Sequence, residues 1–128
     1  MQRLLLVALG GAIGSALRYL VATLALAWLG PGFPWGTLAV NLVGSFAIGL
    51  VQQLATEGLV LGEDTRLFLS AGVMGGLTTY SAFSYDTVRL MEAGAWSSAW
   101  LNVAFTTAAC LVLCYLGLTT GRILLAPR

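Results

Sequence analysis

Hydrophobic residues dominate four long runs of the chain, and the polar residues fall into the short gaps between them. The runs cover about 4–29, 36–56, 65–92 and 96–125, separated by "GPGFPW", "TEGLVLGED" and "EAGAWSS". Each approaches or exceeds the roughly 20 residues that carry a helix across about 30 Å of hydrocarbon. The pattern therefore predicts an all-α integral membrane protein with four transmembrane helices in a single membrane domain, 1–128. The first run is too long for a cleaved signal peptide and holds Arg18 in its interior, so it is expected to stay in the mature fold.

Composition sharpens this picture. The chain is 59% hydrophobic and 9% charged, whereas a soluble domain has about a quarter of its residues charged. A net charge of +1 offers no basic patch for nucleic acid, and the absence of histidine removes the commonest acid–base residue and metal ligand. The chain is not expected to be an enzyme. Cys110 and Cys114, one turn apart in the fourth run, read as small apolar fillers.

Polar side chains at membrane depth need a partner helix or an aqueous cavity, so their positions carry the information. In "GGAIGSALRY", Gly10, Gly14 and Arg18 share one face. The glycines suit a close helix interface, and Arg18 suits either an aqueous vestibule or a tie to helix ends. In "GTLAVNLVGSFAIG", Thr37, Asn41 and Ser45 form a stripe. The Asn41 amide either donates to an anion or bonds a neighbouring helix. In the fourth run Asn102, Thr106 and Cys110 repeat the four-residue spacing, as a pathway wall or as ordinary threonine back-bonding.

The stretch "MGGLTTYSAFSYD" interrupts the third run. Glycines followed by paired threonines make a poor helix interior, so a break is expected near residues 75–79. Breaks at membrane depth free backbone carbonyls, which transporters use to coordinate cations. Tyr80 and Phe83, just beyond, lie on one face. Their positive ring edges can face a small anion, or the rings can simply pack.

Together, "GGAIGSALRY", "GTLAVNLVGSFAIG" and "GGLTTYSAFS" resemble the signature segments of the Fluc/CrcB fluoride channel family, in the same order and within a chain of that family's size. The resemblance implies an antiparallel, dual-topology dimer with two fluoride pores at the subunit interface and a structural sodium ion at its centre. It places the Gly75 and Thr78 carbonyls as sodium ligands and Asn41 as a pore donor to fluoride. Phe83 takes the place of the second pore phenylalanine, Ser81 that of a polar-track hydroxyl, and Arg18 that of the vestibule arginine. Thr106 is chosen for the fourth-span track. The chain departs from the family pattern at Tyr80, where the first pore phenylalanine is usual, and at Ala82, where threonine is common.

The function so implied is passive export of fluoride across the cell inner (plasma) membrane by a multi-pass channel, with no coupled pump. Arg3, Arg66, Arg122 and Arg128 fall on the terminal side and Arg89 alone on the other. That bias favours termini inside and leaves room, beside the homodimer, for a heterodimer with an oppositely oriented sister chain. The rival class is a small four-helix proton-coupled multidrug exporter. It requires an embedded carboxylate, for which Asp86 is the sole candidate near a span interior.

Overall fold

The computed structural model describes residues 1–56 and 61–126. Among these, secondary structure is entirely helical: α1 Gln2–Leu29, α2 Trp35–Thr56, α3 Glu63–Leu67, a π-helical segment Phe68–Met74, α4 Gly75–Leu77, α5 Tyr80–Glu92 and α6 Trp96–Leu125. Helices α1, α2 and α6 are each long and apolar enough to cross a membrane, which makes this a multi-pass membrane protein. Their ends agree with the apolar runs to within two residues. Glu57, in the second link, and Arg128 lie outside the described residues.

Helix α1 stops where Gly30 turns to φ 77°, a conformation that suits glycine, while the Gly30 N–H closes on the Leu26 carbonyl. Pro31 and Pro34 follow and prevent the helix from resuming at once. The third run does not form one helix. It passes from α3 through the π-helical segment and α4 into two extended residues, Thr78 (φ −78°, ψ 153°) and Thr79 (φ −154°, ψ 113°), before α5 begins. The expected break thus narrows to 78–79, with Gly75–Leu77 still helical.

Glycine sets the packing. A Cβ added at Gly14 would strike the Val73 carbonyl, and one at Gly76 would come within 2.5 Å of the Gly11 carbonyl. Backbone therefore lies directly on backbone between α1 and the segment running from the π-helix into α4. A second such seam joins α2 and α6, where a Cβ at Gly49 would strike the Cys114 carbonyl and one at Gly117 the Phe46 carbonyl. Where lipid replaces water outside, helix association relies on such close van der Waals contact.

The burial pattern differs from that of a soluble bundle, with polar side chains buried beside apolar ones such as Leu38, Val40 and Phe83. Asn41, Thr79, Thr87, Asn102 and Thr106 are all buried, and Asn102 retains only 1% of its surface. Leu4, Leu9, Leu111 and Ile123 lie more than half to the outside. Polar groups turned inward and apolar ones outward suit a surrounding hydrocarbon.

Candidate functional site at the helix break

The break at 78–79 is held open by specific bonds. In a continuous helix the Thr79 N–H would donate to the Gly75 carbonyl and the Ala82 N–H to the Thr78 carbonyl. Instead the Thr79 N–H donates to Asn41 Oδ1 at 2.8 Å, and the Ala82 N–H donates to Thr79 Oγ1 at 3.1 Å. Asn41 Nδ2 in turn donates to the Thr79 carbonyl at 3.1 Å. Thr79 thus serves as N-cap of α5, and an amide from α2 substitutes for a missing strand partner on both sides of its backbone. The Gly75 and Thr78 carbonyls lose their helical donors as a result. Gly75 is exposed and Thr78 half-buried, so both oxygens belong to a part of the chain that its own helices do not fully enclose.

Beside the break lies an open groove of about 310 Å³ between α2, α5 and α6. Asn41, Thr78, Thr79, Tyr80, Phe83 and Thr106 line it, together with Ser45 and Cys110. Four of the five expected pathway residues are therefore brought together: Asn41, Tyr80, Phe83 and Thr106. The Tyr80 and Phe83 rings tilt at 42° with centroids 5.4 Å apart. Phe83 is buried, while Tyr80 is 80% exposed and presents its ring at the outer edge of the groove.

Ser81 is placed differently. It is exposed, does not line the groove, and has its hydroxyl 3.2 Å from Thr79 Oγ1 at the cap. Arg18 sits half-buried one turn beyond Gly14 on α1 and is likewise absent from the groove lining.

Behind the groove runs a polar relay that the sequence pattern only half disclosed. The Thr87 hydroxyl donates to the Phe83 carbonyl at 2.7 Å, so its oxygen can only accept from Asn102 Nδ2, at 2.9 Å. Asn102 Oδ1 must then face Thr106, whose hydroxyl donates to it at 3.2 Å. Both hydroxyl protons and one Nδ2 hydrogen of Asn102 are committed, and the Thr106 hydroxyl proton points away from the groove. Asn102 and Thr106 stood out by their spacing. Thr87 gave no signal, because its role depends on how α5 is rotated against α6.

At the end of the bundle that carries the α1–α2 link, a cleft of about 430 Å³ is lined by Thr37, Asp86 and Arg89 among others. The Thr37 hydroxyl donates to Asp86 Oδ2 at 2.6 Å. Thr37 is the third residue of α2, so this carboxylate, from the middle of α5, ties that helix to the first turn of α2.

A family model for CrcB-like proteins (camphor resistance, CrcB) matches residues 5–118. The chain belongs to the CrcB family. Curated relatives agree along nearly the whole length of this CrcB chain. A protein of Thermus thermophilus named fluoride-specific ion channel FluC is 50% identical over 121 residues, 94% of this chain and 96% of the relative. Proteins of the same name from Magnetococcus marinus and Geobacter sulfurreducens are 47% and 44% identical, over 92% and 95% of this chain and 96% and 98% of theirs. Both the break and the groove, including Asn41, Tyr80, Phe83 and Thr106, fall inside the family match.

Proposed function

We propose that this chain is a fluoride-selective channel that lets the anion leave the cytoplasm passively across the inner membrane. The observation that carries the reading is the groove itself. It gathers a buried amide, two aromatic rings and a threonine at membrane depth, in a chain whose close relatives are named fluoride channels. One Nδ2 hydrogen of Asn41 is spent on the Thr79 carbonyl, and the second remains for an anion. The edges of Tyr80 and Phe83 supply the positive rim of their quadrupoles. Selectivity then arises because a small, tightly hydrated anion must exchange its water for several donors in a narrow passage. An inside-negative potential of about 100 mV drives each fluoride outward by about 2.3 kcal/mol.

The full assembly follows the same reading. The path from Glu63 to Glu92 forms a fourth, broken span, so that the chain is a single four-helix membrane domain. Two chains pair antiparallel in dual topology, covering Tyr80 and closing two pores, with Arg18 at the vestibule and Ser81 at the track's edge. The Gly75 and Thr78 carbonyls suit a sodium ion, because diverted backbone oxygens are hard, neutral ligands and have lost their own donors. Two carbonyls would leave such an ion undercoordinated, so each chain would contribute a pair. The ion would supply fixed positive charge and crosslink the two breaks. The exporter reading loses ground because Asp86, its required carboxylate, already accepts from Thr37 in the first turn of α2.

The test is fluoride efflux from liposomes that hold only this purified chain, with valinomycin setting the potential and chloride as the control anion. Potential-driven loss of fluoride without chloride is expected. Retention of fluoride by well-folded protein would overturn the single-chain channel, and rescue by a co-reconstituted relative would point to a sister subunit.

A further inference from the structure

Asn41 does more in this fold than line the groove. Its Oδ1 takes the Thr79 N–H, the one donor that an unbroken helix would return to the Gly75 carbonyl. Its Nδ2 holds the Thr79 carbonyl from the other side, which pins Thr79 in the extended conformation. Only from that conformation does Thr79 Oγ1 cap the Ala82 N–H, the donor that would otherwise reach the Thr78 carbonyl. A single buried side chain on α2 thus keeps both carbonyls free of helical partners, one directly and one through Thr79.

We propose that Asn41 is the positioning residue of the cation site as well as a wall of the anion groove, so that the two sites are coupled through one amide. The inference rests on the cation reading given above. Without an acceptor at Oδ1, the Thr79 N–H turns back to Gly75, the ladder re-forms, and the Gly75 oxygen is no longer available to an ion. The coupling is local and has a physical carrier: the helix break is the two-state element, and Asn41 selects its open form.

The experiment compares apparent Tm in detergent with sodium against N-methylglucamine at equal ionic strength, for the wild type, Asn41→Leu, Asn41→Asp and Phe83→Leu. The wild type gains a sodium-specific rise in Tm, as any ligand that binds only the folded state confers. Asn41→Leu loses that rise. Asn41→Asp with its carboxyl protonated keeps it, since one oxygen takes the Thr79 N–H in place of Oδ1 and the O–H takes the place of Nδ2 on the Thr79 carbonyl. Phe83→Leu alters the groove but not the bonds to Thr79, and also keeps it. A sodium response in Asn41→Leu equal to that of the wild type would overturn the proposal while leaving the cation reading intact. No response in the wild type would overturn the cation reading and the proposal with it. Should Asn41→Leu not fold, Asn41→Asp decides: a retained response supports the proposal, and a folded variant without one overturns it.

Discussion

At the scale of single residues, the buried amides set the strongest constraints, because hydrocarbon offers no water to repair a lost bond. The Asn102 relay makes this testable. Asn102→Asp places an acceptor against Thr87 Oγ1, whose proton already serves the Phe83 carbonyl. The resulting buried clash of lone pairs should cost roughly 1–3 kcal/mol, and more if the carboxyl is charged. Asn102→Leu leaves both threonines able to bond the backbone, and should cost less than the Asp variant. Thermal unfolding of the two proteins in one detergent gives the order directly. A second expectation concerns Tyr80, whose ring edge belongs to the groove rim while its mostly exposed side chain lies at the outer margin. Tyr80→Phe should keep fluoride efflux near the wild-type rate, whereas Tyr80→Leu, lacking a ring edge, should lower it by about tenfold, or ~1.4 kcal/mol of barrier. Asn41, Tyr80, Phe83 and Thr106 were legible in the sequence, because polar and aromatic residues are conspicuous in an apolar run. The Thr87 bond and the placement of Ser81 at the cap were not, since spacing fixes which residues share a face but not which neighbour that face meets.

At the scale of elements, the backbone seams decide whether the bundle closes. Gly14 has no room for even a methyl group against the Val73 carbonyl, whereas a Cβ at Gly11 meets nothing within 4 Å in the chain. Gly14→Ala should therefore destabilise by about 1–3 kcal/mol through overpacking, and Gly11→Ala should stay within about 0.5 kcal/mol of the wild type. Yield of monodisperse protein and apparent Tm check the contrast. The ends of α1, α2 and α6 were readable to within two residues because hydrophobic run length, glycine and proline mark them without reference to the rest of the fold. The break was readable in place, yet its narrow extent was not. Gly75 and Gly76 have poor intrinsic propensity for helix, but they remain helical because Gly76 packs on Gly11, and tertiary contact overrides local preference. The π-helical segment at Phe68–Met74 had no local signature either. It faces the α1 glycines, with a Cβ at Gly72 coming 2.9 Å from Gly10 Cα, so its register answers to a partner helix.

At the scale of the whole molecule, the chain carries polar groups on its outer surface. A groove lined by amide, hydroxyl and ring edges opens on its outer surface, and released carbonyls lie beside it. Lipid cannot satisfy such groups; the antiparallel pairing proposed above would cover them, bringing the same break and groove to meet their equivalents. Arginine placement pulls the other way: Arg3, Arg66 and Arg122 lie at one end among the described residues and Arg89 at the other, a bias that would select one orientation. The two arguments predict different populations. If the second copy is this same chain, half the molecules must sit each way regardless of that bias. A single cysteine placed at Gln2, in a chain whose Cys110 and Cys114 are replaced by serine, should then react with an impermeant maleimide to about half from outside intact cells, and fully after permeabilisation. Labelling near zero or near complete from outside would mean that all copies share one orientation, and the cover for the groove would have to come from a sister chain.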